Sequence, residues 1–395
     1  MQLIKKVLKF PLIIYFSIPI LIISLFFFIN LDSIPVTVSG IEFIGQATLP
    51  TGLSFQKTEL GGLSGITYDV KQDVYYLISD DRGQKAPARF YTLKIDLSKG
   101  YLDNSGVIPL GVTKLLNENS QTYPPETSDT EGIALTSKAT VFISSEGDVK
   151  KLINPFIKEF SLATGKEITN LPIPNKFLPN KSGQQGIRNN LAFESLTITP
   201  DKKSLFTATE NALIQDGPAA KANTGTPCRI LQYNLLTQKP EKEFLYQTEP
   251  ITPIFNLPGK FASGLPDLIS LDNQGTFLSL ERSFTGLGLT IYLFQISLKG
   301  ADDIHNIDSL LTTDSTKIKP VQKKMLLDLR TLEVLLDNIE GLTLGSKLPD
   351  GQPSLILVSD NNFNFLQRTQ ILAFKLKIEP PLISFLRHLI PKSNN

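Results

Sequence analysis

Acidic side chains recur in this chain at places where they could act together. Glu131, Glu194, Asp267 and Glu340 each stand at the start of a short apolar run. A second set, Asp80, Glu146, Glu210, Glu281 and Asp360, closes the apolar run that follows each copy. Carboxylates gathered within a few ångströms raise each other's proton affinity unless cations intervene, so such a set needs arginine or lysine partners or a bound metal. Arginines also recur. Arg89, Arg229 and Arg368 each open a later strand, and Arg82 and Arg282 directly follow Asp81 and Glu281. Carboxylates and guanidinium groups together can hold a hard cation and clamp an anionic oxygen, as phosphate-ester chemistry requires. An all-oxygen donor set favours Ca²⁺, or Mg²⁺, over zinc. The simpler reading of any single Arg–carboxylate pair is a stabilising contact within one structural unit.

These residues share a site only if the elements carrying them are arranged in a ring. Five copies of one phrase run along the chain, at Leu63–Thr67 with Ile78–Asp80, Thr130–Ala134 with Ser144–Glu146, Phe193–Thr197 with Ala208–Glu210, Pro266–Ile269 with Ser279–Glu281, and Ile339–Thr343 with Val358–Asp360. From Gly65 through Gly132, Ser195 and Asp267 to Gly341 the steps are 67, 63, 72 and 74 residues, each long enough for four strands. In the first copy these strands are 65–68, 74–79, 89–97 and 107–116, with Gly, Pro, Asn and Asp between them. The fifth copy has three strands only, ending with 370–376, while 41–49 is an orphan strand before the first copy. Pairing the orphan with the fifth sheet closes the ring and removes an exposed edge. The predicted fold is therefore an all-β propeller of five four-stranded blades closed by its N-terminal strand. A sixth blade requires strands hidden in the long connections, and a stacked solenoid would normally have a shorter period. Antiparallel pairing places the start of each first strand beside the end of each second, so the acids fall around one channel mouth. The fourth copy departs from the rest, because Asp267 follows Pro266 and is shifted by one residue, toward the opposite face of its strand.

Composition narrows the chemistry. The chain has 395 residues, 41% of them hydrophobic, and 39 basic against 38 acidic side chains, so no bulk charge draws it to nucleic acid. One cysteine, Cys228, rules out an internal disulfide framework, and two histidines, His305 and His388, lie off the repeat, which speaks against a histidine triad or a zinc site. Gly62-Leu63-Ser64-Gly65 lacks the G-x-S-x-G spacing, leaving Ser64 as a strand or turn residue. There is no P-loop, dinucleotide fingerprint or EF-hand loop. The small-residue stretch from Asp216 to Pro227 is a surface connection or a lid over the mouth.

The ends carry separate signals. Lys5, Lys6 and Lys9 precede an uncharged apolar run from Phe10 to Ile29, long enough for a membrane-crossing helix with the body exported. Val38-Ser39-Gly40 is a poor cleavage site, which favours a retained anchor over a removed signal. The expected organisation is an anchor or uncleaved signal over 1–31, a spacer over 32–40, the propeller over 41–379 and an apolar tail over 380–395. The tail has helix-like apolar spacing and packs on the domain or lies at the membrane surface. The body would then be periplasmic or extracellular, and secreted if the segment is cut.

Several segments together resemble the phytase-like family described as having esterase-like activity of phytase. They are Gly62–Ile66, Asp80–Gly83, Asp129–Ile133, Asn190–Leu196, Thr207–Asn211, Asn338–Gly341 and Ser359–Asn361. The resemblance covers roughly residues 41 to 378 and implies a propeller and hydrolysis of phosphate or other esters. The leading expectation is a membrane-anchored hydrolase of a small anionic ester. In it, Glu131, Glu194 and Glu340 hold a divalent cation with Asp80, Glu146, Glu210, Asp360 and Asp267 around it, and Arg89, Arg229 and Arg368 stabilise developing charge. The alternative is a scaffold propeller that binds a ligand or protein without catalysis.

Overall fold

The computed structural model describes residues 34–251, 261–285, 288–380 and 383. Among them are five four-stranded antiparallel sheets and one two-stranded ribbon, Ser54–Phe55 with Thr58–Glu59. Blade 1 holds Leu63–Asp69, Val74–Ser79, Arg89–Ile95 and Val107–Lys114, and blade 2 Thr130–Leu135, Thr140–Ser145, Phe156–Ser161 and Glu167–Leu171. Blade 3 holds Thr197–Ile198, Ser204–Ala208, Pro227–Asn234 and Lys239–Gln247. Blade 4 consists of Ala262–Ser270, Thr276–Phe284, Leu289–Ser297 and Gln322–Asp328. Blade 5 takes Ile339–Lys347, Pro353–Ser359 and Thr369–Ile378 from the end of the chain and Val38–Leu49 from its beginning.

The closing strand begins at Val38, inside the stretch read as a spacer, and pairs antiparallel with the last strand, Phe43 opposite Phe374 and Leu49 opposite Thr369. The first strand of each blade packs on the first strand of the next, and the fifth packs on the first, so the ring closes on five blades. No sixth blade is found among the described residues. One hydrophobic cluster fills each junction between blades. Tyr76, Ile78 and Phe90 meet Ile143 and Phe160 between blades 1 and 2, and Ala47 and Leu49 join Leu63, Tyr91 and Ile371 between blades 5 and 1. These junctions bury the apolar residues of every strand pattern, which is the main force holding the blades in place.

The apolar run 10–29 and almost all of the tail lie outside the described residues. Among the described residues no helix is long and apolar enough to cross a membrane.

Candidate metal centre at the channel mouth

The first strands lose their regular pairing at the repeated position, which holds Ser64 in blade 1 and an acid in blades 2, 3 and 5. Register shifts fall between Leu63 and Gly65, between Thr130 and Ile133, and between Ile339 and Gly341. In blade 3 the strand is interrupted, with an isolated bridge at Phe193 before pairing resumes at Thr197. A bulge re-aims one side chain while the flanking pairs keep their faces, and bulges do this for Glu131 and Glu340, whereas Glu194 is freed by the interruption of its strand. The close inter-blade approach needs glycine at some of these points. A Cβ on Gly132 would lie 2.7 Å from both the Leu196 Cβ and the Ser144 Oγ.

The expected gathering of acids is largely what the structure shows. Glu131 feels Asp129, Asp80, Glu146 and Glu340, Glu194 feels Glu131, Glu146 and Glu210, and Asp360 feels Glu340. Burial, then mutual repulsion, holds Asp80, Glu131, Glu194 and Asp360 well above the usual carboxylate range. Burial pushes Glu146 up to about 8, with Asp129 adding to it. Asp129 itself is raised by burial to about 6, against the pull of Arg82. Asp80, Glu194 and Glu340 each keep some solvent exposure.

The cations that meet these acids are Arg82 and Arg282. Arg82 donates from Nε to Asp129 Oδ1 at 2.8 Å and bonds Asn190 as well. Arg282 joins Glu340 and Asn338 through Nη1 and reaches Glu210 Oε1 at 3.1 Å through Nη2. Burial opposes its charge, but Glu340 and Glu210 outweigh that and hold it protonated. Arg282 thus stands in blade 4 between acids of blades 3 and 5, and Gly264 leaves the room, since a Cβ there would meet Glu210 at 2.5 Å.

Three expectations about cations are corrected. Arg89 is fully buried on Asp81, the Tyr91 hydroxyl and the Glu59 carbonyl. Arg229 is fully buried between Asp216, at 2.6 and 2.8 Å, and Glu243, at 2.7 Å. Arg368 lies by Asp337, its Nε 3.8 Å from Oδ2, and bonds the Leu335 carbonyl. All three lie at or next to the start of the third strand of a blade, two places outward from the strand that lines the channel. Asp216, tied to Arg229, anchors the small-residue loop from inside, and Arg188 holds the Gly217 carbonyl, so the loop is a pinned connection.

Two acids also fall elsewhere. Asp267 is buried away from the cluster and accepts from Leu268 N and, across the junction, from Leu342 N of blade 5, each at 2.8 Å. Glu281 is held by Lys323, Tyr246 and the Glu249 amide. Asp267→Asn leaves one of two buried N–H groups without an acceptor, so we expect a stability loss of about 1–3 kcal/mol. Calcium affinity, titrated on the same variant, should match the wild type; a tenfold loss would return Asp267 to the site. Ser64 is a junction residue, its hydroxyl donating to the Glu131 carbonyl at 3.0 Å. His305 lies exposed beside Asp303, far from this arrangement in its contacts.

The tightest group is not the expected Glu131, Glu194 and Glu340. Among the described residues, Asp129, Glu131 and Glu146 each offer a carboxylate oxygen within 4.8 Å of the others. Asp129 went unselected because it precedes the strand; its signal was its place one residue before Thr130 in a loop that must meet Arg82. The group fits a hard divalent cation. Its donors are all oxygens, and Glu146 Oε2 is buried with no hydrogen-bond donor, while Ala192 N satisfies Oε1. Glu194 can hydrogen-bond Glu146 when one of the two is protonated, so the open acceptor belongs to the ionised pair.

The profile of a family described as "Phytase-like: Esterase-like activity of phytase" matches residues 58–363. No curated protein matches the chain. Solved structures similar to it include an endo-arabinase from Bacteroides thetaiotaomicron VPI-5482, 10% identical over 84% of this chain and 96% of that one, with a TM-score of 0.41. A thermostable family-43 glycoside hydrolase is 11% identical over 85% and 96%, with a TM-score of 0.42. The tail fiber of Staphylococcus aureus phage P68 is 12% identical over 95% and 60%, with a TM-score of 0.41.

Proposed function

The chain belongs to the phytase-like family, and from that membership we propose that it is a cation-dependent hydrolase of phosphate esters whose site is the acidic channel mouth. The observation that carries the reading is Glu146 Oε2, an acceptor buried without a donor inside a group of three carboxylates. Asp129, Glu131 and Glu146 would hold Ca²⁺, or Mg²⁺, which when bound supplies Lewis-acid polarisation of an ester oxygen and a more acidic water. The rest is the work of the chain. Arg282 holds Glu210 and Glu340 in fixed positions, and Arg82 orients Asp129 through two nitrogens. Asp80 and Glu194, partly exposed and with raised proton affinity, would take a proton from an attacking water.

The test is turnover of phosphate and carboxylate esters by the purified protein, with calcium and with chelator. Glu131→Gln and Glu146→Gln should each lower calcium-dependent turnover by at least about 100-fold, since even outer partners of metal ligands are worth 10–100-fold. Absence of turnover, with both variants altering only melting, sinks the enzyme. That outcome favours a non-enzymatic scaffold propeller, a reading supported by the pairing of Glu210, Glu340 and Asp129 with arginines.

The exported, anchored location rests on the lysines and apolar run before residue 30. The chain enters the ring at Val38, opposite Ile378, whereas Leu49 and Thr369 share the mouth end with Asp360.

A further inference from the structure

Beside the three carboxylates a pocket opens between the loop that joins the second and third strands of blade 1, the segment that leads into blade 2 and the loop that joins the second and third strands of blade 2, lined by Arg82, Glu126, Ser128, Asp129, Asp148 and Lys151. We propose that this pocket receives a phosphate group carrying a proton, as hydrogen phosphate or the monoanion of a phosphate monoester; the inference rests on, and deepens, the phosphate-ester reading of the neighbouring centre.

Three donors point to an anion. Arg82 spends Nε and Nη2 on Asp129 and Asn190, and its Nη1 makes no hydrogen bond among the described residues. Lys151 is half-exposed, held only by surface contacts to Glu126 at 2.6 Å and Asp148 at 3.5 Å. Ser128 is 3% exposed, and its hydroxyl has no partner. A buried hydroxyl left unbonded costs stability, and a ligand atom entering beside Ser128 would complete it.

The geometry of the loops supports this use. Asp81, fixed by Arg89, accepts from Gly83 N and Ala86 N, and Arg82 takes a left-handed φ of 55° at the tip. Glu126 N then bonds the Arg82 carbonyl at 2.6 Å, locking the two loops together. Arg89, far from touching a substrate, is a positioning residue for Arg82.

The acids at the wall select the ligand. Asp129, Glu126 and Asp148 would repel a fully deprotonated oxyanion, but each can accept a hydrogen bond from a P–OH group. Phosphate at neutral pH offers that donor together with acceptor oxygens for Arg82, Ser128 and Lys151. Sulfate offers acceptors alone.

The experiment measures orthophosphate and sulfate binding to the full chain by calorimetry near pH 7, with calcium and with chelator, alongside ester turnover. Ser128→Ala and Lys151→Met should each weaken orthophosphate by about tenfold, one hydrogen bond to a charged group. Ser128→Ala should melt no lower than wild type, because the hydroxyl it removes is unbonded; loss of binding without loss of stability is a signature that a purely structural serine would not give. Both variants are cheap to fold, Lys151 being tied only by exposed ion pairs. Unchanged orthophosphate affinity in both variants, or sulfate bound as tightly as orthophosphate, overturns the inference and leaves the hydrolase reading intact. Orthophosphate binding lost in the variants of a protein that turns over no ester keeps the pocket and removes the hydrolase.

Discussion

Replacing Arg282 with methionine should destabilise the metal-free domain by about 3–5 kcal/mol at neutral pH, the usual cost of stripping one partner from a buried ion pair. Two carboxylates depend on this guanidinium. Glu210 is 4% exposed and lies 3.1 Å from Nη2, while Glu340 and Asn338 share Nη1. Nothing else cationic bonds either acid among the described residues, because Arg82 is committed to the other side of the mouth, on Asp129. Methionine fills similar volume without charge, so the variant isolates the electrostatic loss from packing. The sign of a second effect is opposite. Removing a positive charge from the rim makes the remaining acids a stronger attractor for a divalent cation, so calcium should bind the variant more tightly and recover more of its stability than it does for the wild type. Arg282→Lys keeps the charge but not the two-sided fork, and should fall between the two. Thermal melts in chelator, followed by calcium titration, decide the matter: a methionine variant melting within about 1 °C of wild type would mean that Arg282 does not hold the rim together.

The same residue marks how far sequence reasoning reached. The acid phrase located the five first strands and the mouth, and the orphan strand before blade 1 foretold closure through Phe43 and Phe374. Both signals are carried by alternation and by antiparallel geometry, which are local rules. The cation assignment failed for a reason that no local rule contains. Arg89 and Arg229 repeat at one position of the third strand, and that repetition read as function, yet the third strand of a blade lies away from the channel and its arginines balance Asp81 and Asp216 inside the blade. Arg82 and Arg282 had a better signal, since Arg82 stands in the loop just past the second strand of blade 1 and Arg282 near the end of the second strand of blade 4, the end that faces the mouth. In blade 4 the departure of Asp267 and the presence of Arg282 belong together. The acid has moved to serve Leu342 N of the next blade, and the arginine fills the gap it leaves between Glu210 and Glu340. Asp129 was missed because the bulge from Thr130 to Ile133 draws a residue outside the strand into the site, and bulges leave little trace in a hydrophobic pattern.

Without metal, the domain should lose stability as pH rises from about 5 to 8, and calcium should return it. The direction follows from the proton balance. Glu146 is raised by burial to about 8 and Asp129 to about 6, and Asp80, Glu131, Glu194 and Asp360 also lie well above ordinary carboxylates. An unfolded chain releases these protons near pH 4 to 4.5, so across the window above that the folded state binds more protons than the unfolded one, and stability falls with pH. The contribution is fully present below the unfolded values and is lost as pH climbs through the folded ones. Carboxylates with lowered proton affinity, such as Asp73 and Asp328, act in the opposite sense but below that window. At about 1.4 kcal/mol per pKa unit and about 2 °C per kcal/mol, Asp129 alone, which releases its proton near pH 6, should lower Tm by roughly 3 °C between pH 5 and 8. A cation at a hundredfold excess over its Kd restores about 2.7 kcal/mol at pH 8, where the acids are free to receive it, and little at pH 5, where protons compete. Glu146→Gln separates the two causes. It is neutral at every pH, so it should remove the share of the slope between pH 7 and 8 that Glu146 contributes, leave the share of the other acids, and abolish the calcium response. A wild type whose Tm is level from pH 5 to 8 and indifferent to calcium would show that the arginines alone neutralise the mouth, and the cation would have no place there.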